Sequence, residues 1–188
     1  MINPIENKLE LSYNSEWFTS RYYVYVIKVV VSKSTYYYVG QTGDRHFVAA
    51  RSPFYRLWGH FNPYNLRKGT DSQLMSNLFK RNVFRKKDGD SNRLTIDRAL
   101  AKRDAVITAQ FYPIYDFEDD FTQLSKKNHK NKRVFVEQIE KGVIEGLDAT
   151  FLFNDLTKKG FDKIIVTDEA RHISKTILED FKNERLTS

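Results

Sequence analysis

The sequence predicts an α+β fold, a small antiparallel sheet flanked by helices. Three observations carry this expectation. Residues 23–43, "YVYVIKVVVSKSTYYYVGQTG", are two β-branched and aromatic runs around a polar "SKST", which is the pattern of a β-hairpin. A third run of the same kind, "AVITAQFYPIYDF", follows at 105–117. The remaining ordered segments repeat their apolar residues at helical spacing.

Residues 1–21 form an arm or short helix, docked by Trp17 and Phe18. The hairpin follows, its second strand ended by Gly40 and Gly43. After a loop, Pro53 sits in the first turn of a helix that runs to Phe61, and "NPYN" breaks it. "TDSQLMSNLFKRNVF" is a second helix, capped by Thr70 or Asp71, with Leu74, Leu78 and Phe79 on one face. "RKKDGDSNR" is a basic loop and "DRALAKRD" a helical turn. The third strand is interrupted at Pro113, and "SKKNHKNKR" after it reads as a solvated loop. "VFVEQIEKGVIEGL" is a third helix, "KIIVT" a short strand, and "DEARHISKTILEDFKNE" a last helix with Ala170, Ile173, Ile177 and Phe181 inward. A chain of 188 residues, 40% of them hydrophobic, fits a single domain over 1–188: a core at about 22–154, an N-terminal arm 1–21 and a C-terminal extension 155–188.

Composition narrows the function. Cysteine is absent, which excludes disulfides and thiolate zinc sites. No apolar run reaches transmembrane length, and "MINPIENKLE" does not read as a signal peptide, so a soluble, cytoplasmic protein with no membrane partner is expected. The net charge of +7, with basic runs at Lys80–Lys87 and Lys126–Arg133, suits a polyanion such as nucleic acid. The plainer reading of both runs is a solvated surface.

Side chains alternate across a strand, so Tyr23, Tyr25 and Ile27 share one face, as do Tyr36 and Tyr38. Each buried phenol needs a hydrogen-bond partner, so a cluster of them suggests more than core filling. The helix after the hairpin carries "RLWGH", which sets Arg56 and His60 one turn apart beside the apolar Leu57 and Phe61. On the third helix, Val136, Val143 and Leu147 make an apolar stripe, helped by Ile139 and Ile144, and Glu140 falls on it, with Glu137 closer to the polar side. A carboxylate there is costly unless paired or bound to metal. Phenols, a guanidinium, an imidazole and one half-buried carboxylate are components for phosphodiester hydrolysis. The carboxylate can hold a hydrated hard cation and the guanidinium can neutralise phosphate charge. Each of these residues also has a plainer reading as core or surface.

In this arrangement the chain resembles the GIY-YIG nucleases. "YVYVI" at 23–27 is similar to the family's first motif, with Tyr25 in the tyrosine place, and "YVGQT" at 38–42 to its second, matching Tyr38 and Gly40. "RLWGHF" resembles the R-x-x-x-H helix, matching Arg56 and His60. "EKGVI" resembles the glutamate helix and selects Glu140 over Glu137, and "FLFND" supplies Asn154 where the family often has an asparagine. The resemblance implies a small three-stranded antiparallel sheet flanked by helices and hydrolysis assisted by one Mg2+ or Mn2+ ion, with Glu140 as metal ligand. It implies Tyr25 as general base, Tyr38 orienting water or phosphate, Arg56 stabilising developing charge and His60 assisting, with 5′-phosphate and 3′-hydroxyl products. The first motif lacks its glycine, since Tyr23 stands there, and a slide of two residues would make Tyr23 the base. A longer loop before Arg56 makes Arg45 and Arg51 rivals for its role and places them near DNA or a partner subunit. Lys80, Arg81, Arg85, Lys86 and Lys87 are further candidates for contact with double-stranded DNA.

The compact chain, with its additions spread through the nuclease, resembles the family's small type II restriction endonucleases, which often act as homodimers. A phage or mobile-element nuclease of low specificity is one alternative. A non-catalytic DNA-binding module on a decayed nuclease fold is another, supported by the missing glycine.

Overall fold

The structure, a computed structural model, describes residues 11–31, 34–61, 73–81, 106–118, 123–154 and 160–183, with residues 83, 87–89, 95, 98, 100 and 101. Its centre is an antiparallel sheet of β1 (Arg21–Val31), β2 (Ser34–Gln41) and β3 (Val106–Asp116) in the order β2-β1-β3. The class is α+β, as predicted. The hairpin register pairs Tyr25 with Gly40 and Ile27 with Tyr38. The interruption expected at Pro113 is a bulge: Tyr22 pairs with Tyr115 and Tyr23 with Pro113, leaving Ile114 as the extra residue. Pro113 is tolerated because β3 is an edge strand.

Helices α1 (Pro53–Phe61), α2 (Gln73–Lys80), α3 (Gln123–Glu145) and α4 (Asp168–Asn183) cover both faces of this sheet. The period-two alternation of β1 sorts its side chains into two cores. Tyr22, Val24 and Val26 pack with Tyr37 and Val39 against Val136, Ile139 and Val143 of α3 and Ala170, Ile177 and Phe181 of α4. Tyr25, Ile27 and Val29 pack with Tyr38 against Leu74 and Leu78 of α2, with Leu57 and Phe61 of α1 alongside. Covered on both faces, β1 reads as a nearly unbroken apolar run.

The predicted C-terminal extension is part of the first core. Ser174 Oγ reaches the Ile139 carbonyl at 3.0 Å, and a Cβ at Gly142 would collide with Ser174, so α3 and α4 approach closely there. The arm docks as expected through a 3₁₀ turn at Ser15–Phe18, with the Trp17 ring against Phe111 and the Phe18 ring against Phe54. Residues 1–10 and the cap candidates Thr70 and Asp71 lie outside the described residues.

Two predicted elements are corrected. Residues 125–133, expected as a loop, are the first turns of α3. Lysine and arginine are good helix formers, and His129 in their midst is buried against Tyr22, which anchors the segment. Residues 163–167, expected as a strand, are irregular. Their backbone bonds to side chains of α3 instead of a ladder: Lys141 Nζ donates to the Ile164 carbonyl at 2.7 Å, and the Thr167 N–H to Gln138 Oε1 at 3.2 Å. Among the described residues no helix is long and apolar enough to cross a membrane.

Candidate active site

At the Gly40 end of β2 the two layers meet around a cavity of about 240 Å³. Tyr38, Asp44, Arg45, Arg51, Arg56 and Glu140 are among the residues lining it. The strand supplies Tyr38, the loop after it Asp44, Arg45 and Arg51, α1 Arg56, and α3 Glu140. Residues far apart in sequence thus converge on one polar cavity.

Behind Tyr38 lies a chain of hydrogen bonds. Arg56 Nε donates to the Tyr25 hydroxyl at 2.8 Å, and the same hydroxyl lies 2.8 Å from His60 Nε2. A neutral imidazole with a bare Nε2 accepts the Tyr25 proton, so the direction runs from Arg56 through Tyr25 to His60. Burial, then the Arg56 charge, lowers the His60 imidazole to about 3, which makes the neutral form the one present near neutral pH. Burial pushes the Tyr25 phenol up to about 12 against the pull of Arg56, and raises Tyr38 well above its ordinary value. The two phenols also interact through their hydroxyls. Burial works against the Arg56 charge, but Tyr25, Tyr38 and Glu140 hold its value above the ordinary one.

Gly40 is required by this packing. It faces Tyr25 across the hairpin, and a Cβ there would collide with the phenol. Its place in "YVGQT" follows from the absence of a side chain.

Tyr25, expected as the general base, lies behind the cavity and not in its lining. Tyr25 is fully buried, its hydroxyl held by Arg56 and His60, and it does not line the cavity; Tyr38 does. Tyr23 is buried elsewhere: its ring meets Phe111 edge-on and its hydroxyl makes a long 3.4 Å bond to the Thr19 carbonyl of the arm. A tyrosine in place of the motif's glycine is therefore accommodated by the arm. Asn154 clamps the sheet edge, accepting the Val39 N–H at 2.8 Å and donating to the Val39 carbonyl at 2.7 Å.

Glu137, expected nearer the polar side, is the more buried of the two carboxylates. Its Oε1 accepts from Arg45 Nε at 2.8 Å and Arg133 at 2.6 Å. Arg51 pairs with Asp44 at 3.0 Å. Both loop arginines line the cavity, but each is held by a carboxylate, whereas Arg56 is held by Tyr25. Burial works to raise Asp44, yet the His46 and Phe47 N–H groups and Arg51 keep it below the ordinary value.

Among the DNA-contact candidates, Lys80 and Lys87 are exposed. Arg81 donates to the Thr150 carbonyl at 2.8 Å and lies over the Phe153 ring, toward the end of β2 away from the cavity. Arg85 and Lys86 lie outside the described residues. Sequence reasoning missed Asp44 and His46, which also line the cavity. It placed Arg133 in a basic run but missed its ion pair with Glu137, although their i, i+4 spacing was a signal.

Among the described residues, His, Asp and Glu side chains form no cluster of three. Magnesium keeps several waters and takes one or two carboxylates, so Glu140 in a polar cavity fits such an ion. Comparison with protein-family models, with characterised proteins and with solved structures gave no match.

Proposed function

We propose that the chain is a divalent-cation-dependent DNA endonuclease of the GIY-YIG kind, and that its compact form is that of a site-specific restriction enzyme. The observation that carries the reading is the meeting of Tyr38, Arg56 and Glu140 on one cavity, with Tyr25 and His60 directly behind. Filling a core needs no such convergence of a cation, a carboxylate and hydrogen-bonded phenols.

Each residue has a role that follows from its place. Glu140 would hold a hydrated Mg2+ or Mn2+ ion, which would supply charge neutralisation at the scissile phosphate. Arg56, fixed at Nε by Tyr25, has its remaining N–H groups to offer the phosphate oxygens, where they stabilise charge developing in the transition state. Tyr38 is the phenol in reach of a water. Having lost its own proton to solvent as pH rises, Tyr38 takes a proton from that water. The water oxygen forms the new bond to phosphorus, and the bond to the leaving oxygen breaks. The Arg56 charge, with the ion when bound, offsets the burial that raises Tyr38. Tyr25 thus acts as the anchor of Arg56, and the neutral His60 imidazole holds the Tyr25 proton away from the guanidinium.

Incubation of the purified protein with several plasmids and Mg2+ tests the reading. Defined bands are the expected result. A smear would replace the restriction enzyme with a nuclease of low specificity. Binding without cleavage in Mg2+ and in Mn2+ would leave a DNA-binding module and overturn the catalytic roles.

A further inference from the structure

A second concavity of about 580 Å³ adjoins the cavity and shares Arg45 and His46 with it. We propose that this cleft seats the sugar-phosphate backbone of duplex DNA flanking the cleaved bond. The proposal rests on the nuclease reading for the identity of the polyanion. It assigns a surface which that reading does not use.

The cleft is formed where the first turns of α3 face the loop after β2. Lys126, Lys130 and Arg133 project from one side of α3 at i, i+4 and i+7, opposite Arg45, His46 and Phe47. Among the described residues no carboxylate lines it. Glu137 lies beneath and is shared by Arg45 and Arg133, so one negative charge answers two guanidiniums while both lysines are exposed. The first turn of α3 holds no acidic residue, and cations there work against the helix dipole. A lysine such as Lys126 in the first turn, at the positive end of the helix, makes it less stable, and an anionic partner offsets that cost. From Lys126 to Arg133 the helix rises about 10 Å, the reach of roughly two to three consecutive phosphates of one strand.

The walls are braced. His129 Nε2 donates to the Asp44 carbonyl at 2.9 Å, which leaves Nδ1 to accept the Tyr22 hydroxyl at 2.6 Å. Sheet, helix and loop are thereby tied at the floor of the cleft, and the ion pairs of Glu137 fix the arginines beside it. Such preorganisation lowers the ordering cost of binding. An acidic protein surface is the other polyanion that a basic cleft could take. The regular spacing of the cations along one helix favours a phosphate backbone.

The test uses the full chain and a labelled 24-base-pair duplex, with binding measured against KCl in EDTA so that cleavage does not intrude. Each phosphate contact contributes about 0.9 to the slope of log affinity on log salt. The double variant Lys126→Gln/Lys130→Gln should lower the slope by about 2 and weaken binding at 0.15 M salt by about 30-fold. Lys175→Gln/Lys182→Gln on α4 changes the net charge equally, does not line the cleft, and should leave the slope unchanged. Melting temperatures close to wild type will show that both variants fold. An unchanged slope in the cleft variant, or an equal fall in the α4 variant, overturns the cleft. Displacement of the duplex by poly-glutamate at equal charge concentration, with the same dependence on Lys126 and Lys130, would give the surface to an acidic protein. If the wild type cuts plasmids while the cleft variant keeps its slope, the cleft fails and the nuclease stands. If the wild type binds through Lys126 and Lys130 but never cuts, the cleft stands and the nuclease fails.

Discussion

Replacing Tyr25 with phenylalanine keeps the ring and removes one oxygen, but that oxygen has two partners. It accepts from Arg56 Nε and donates to His60 Nε2, each at 2.8 Å. A hydrogen bond to a charged group contributes about 1.5–3 kcal/mol and a neutral one about 1 kcal/mol. Arg56 borders the cavity, where water can take over part of its hydration, so the lower end applies and the expected loss is about 2–3 kcal/mol. For a chain of this size that lowers the melting temperature by roughly 5–10 °C. Tyr23→Phe deletes a long 3.4 Å bond to Thr19 and a contact with the solvent-bordering Arg21, and should cost at most about 1 kcal/mol. Tyr38→Phe should spare stability more than Tyr25→Phe. Tyr38→Phe should cut turnover by about two to four orders of magnitude and flatten the rise of rate with pH, because it removes the base, whereas Tyr25→Phe should cut turnover by loosening Arg56 and leave that rise in place. Urea denaturation and plasmid cleavage on the same preparations give both readouts. A Tyr25→Phe protein as stable as wild type would refute the hydrogen-bonded arrangement. Cleavage at wild-type rate by both Tyr25→Phe and Tyr38→Phe would refute both roles and reduce the phenols to packing.

Gly40→Ala should destabilise by about 1–3 kcal/mol and lower turnover, since the new methyl group displaces the Tyr25 phenol that seats Arg56; a neutral outcome in denaturation would mean the hairpin relaxes there without loss. Glu140→Gln should abolish cleavage and keep the fold. Glu137→Gln should instead lose about 1–3 kcal/mol of stability by stripping two guanidiniums of their carboxylate, less than for a fully buried pair because Arg45 is half exposed; an inactive but stable Glu137 variant beside an active Glu140 variant would exchange their roles. His60 is held at about 3 against an ordinary 6.5, so the unfolded chain binds more protons than the folded one between these values. Its contribution to stability is complete above about pH 6.5 and is lost as pH falls towards about 3. Calorimetry from about pH 7 down to about pH 4.5 should show a steeper fall in wild type than in His60→Gln. Parallel curves would argue against an imidazole buried beside Arg56.

The elements that could be read from sequence are those whose stability is local. The hairpin shows itself in β-branched alternation, and α1 in Pro53 at its start and an apolar pair one turn apart. The first turns of α3 gave no such sign, because the residue that buries them is a histidine whose partner, Tyr22, is 107 positions away. The run "KIIVT" has the composition of a strand, but Lys141 and Gln138 take its backbone groups first. The components of the site could be named from spacing, yet their orientation could not. Whether Tyr25 or Tyr38 faces the cavity depends on Gly40 across the ladder and on where α1 docks. The burial of Glu137 depends on Arg45, 92 positions away.

The Asn154 clamp bears on how two copies of this chain can meet. An edge strand exposes a row of unpaired N–H and C=O groups that invites a second chain to extend the sheet. Along β2 the Phe153 N–H donates to the Tyr37 carbonyl at 2.6 Å, and the Asn154 amide occupies both polar groups of Val39. On the far edge, Pro113 and the bulge beside it break the regularity of β3. A second copy joining the ladder at β2 would have to displace the residue 153–154 cover, and at β3 it would meet a strand with a missing donor. Self-association therefore has easier routes through helices and loops than through either edge of the sheet.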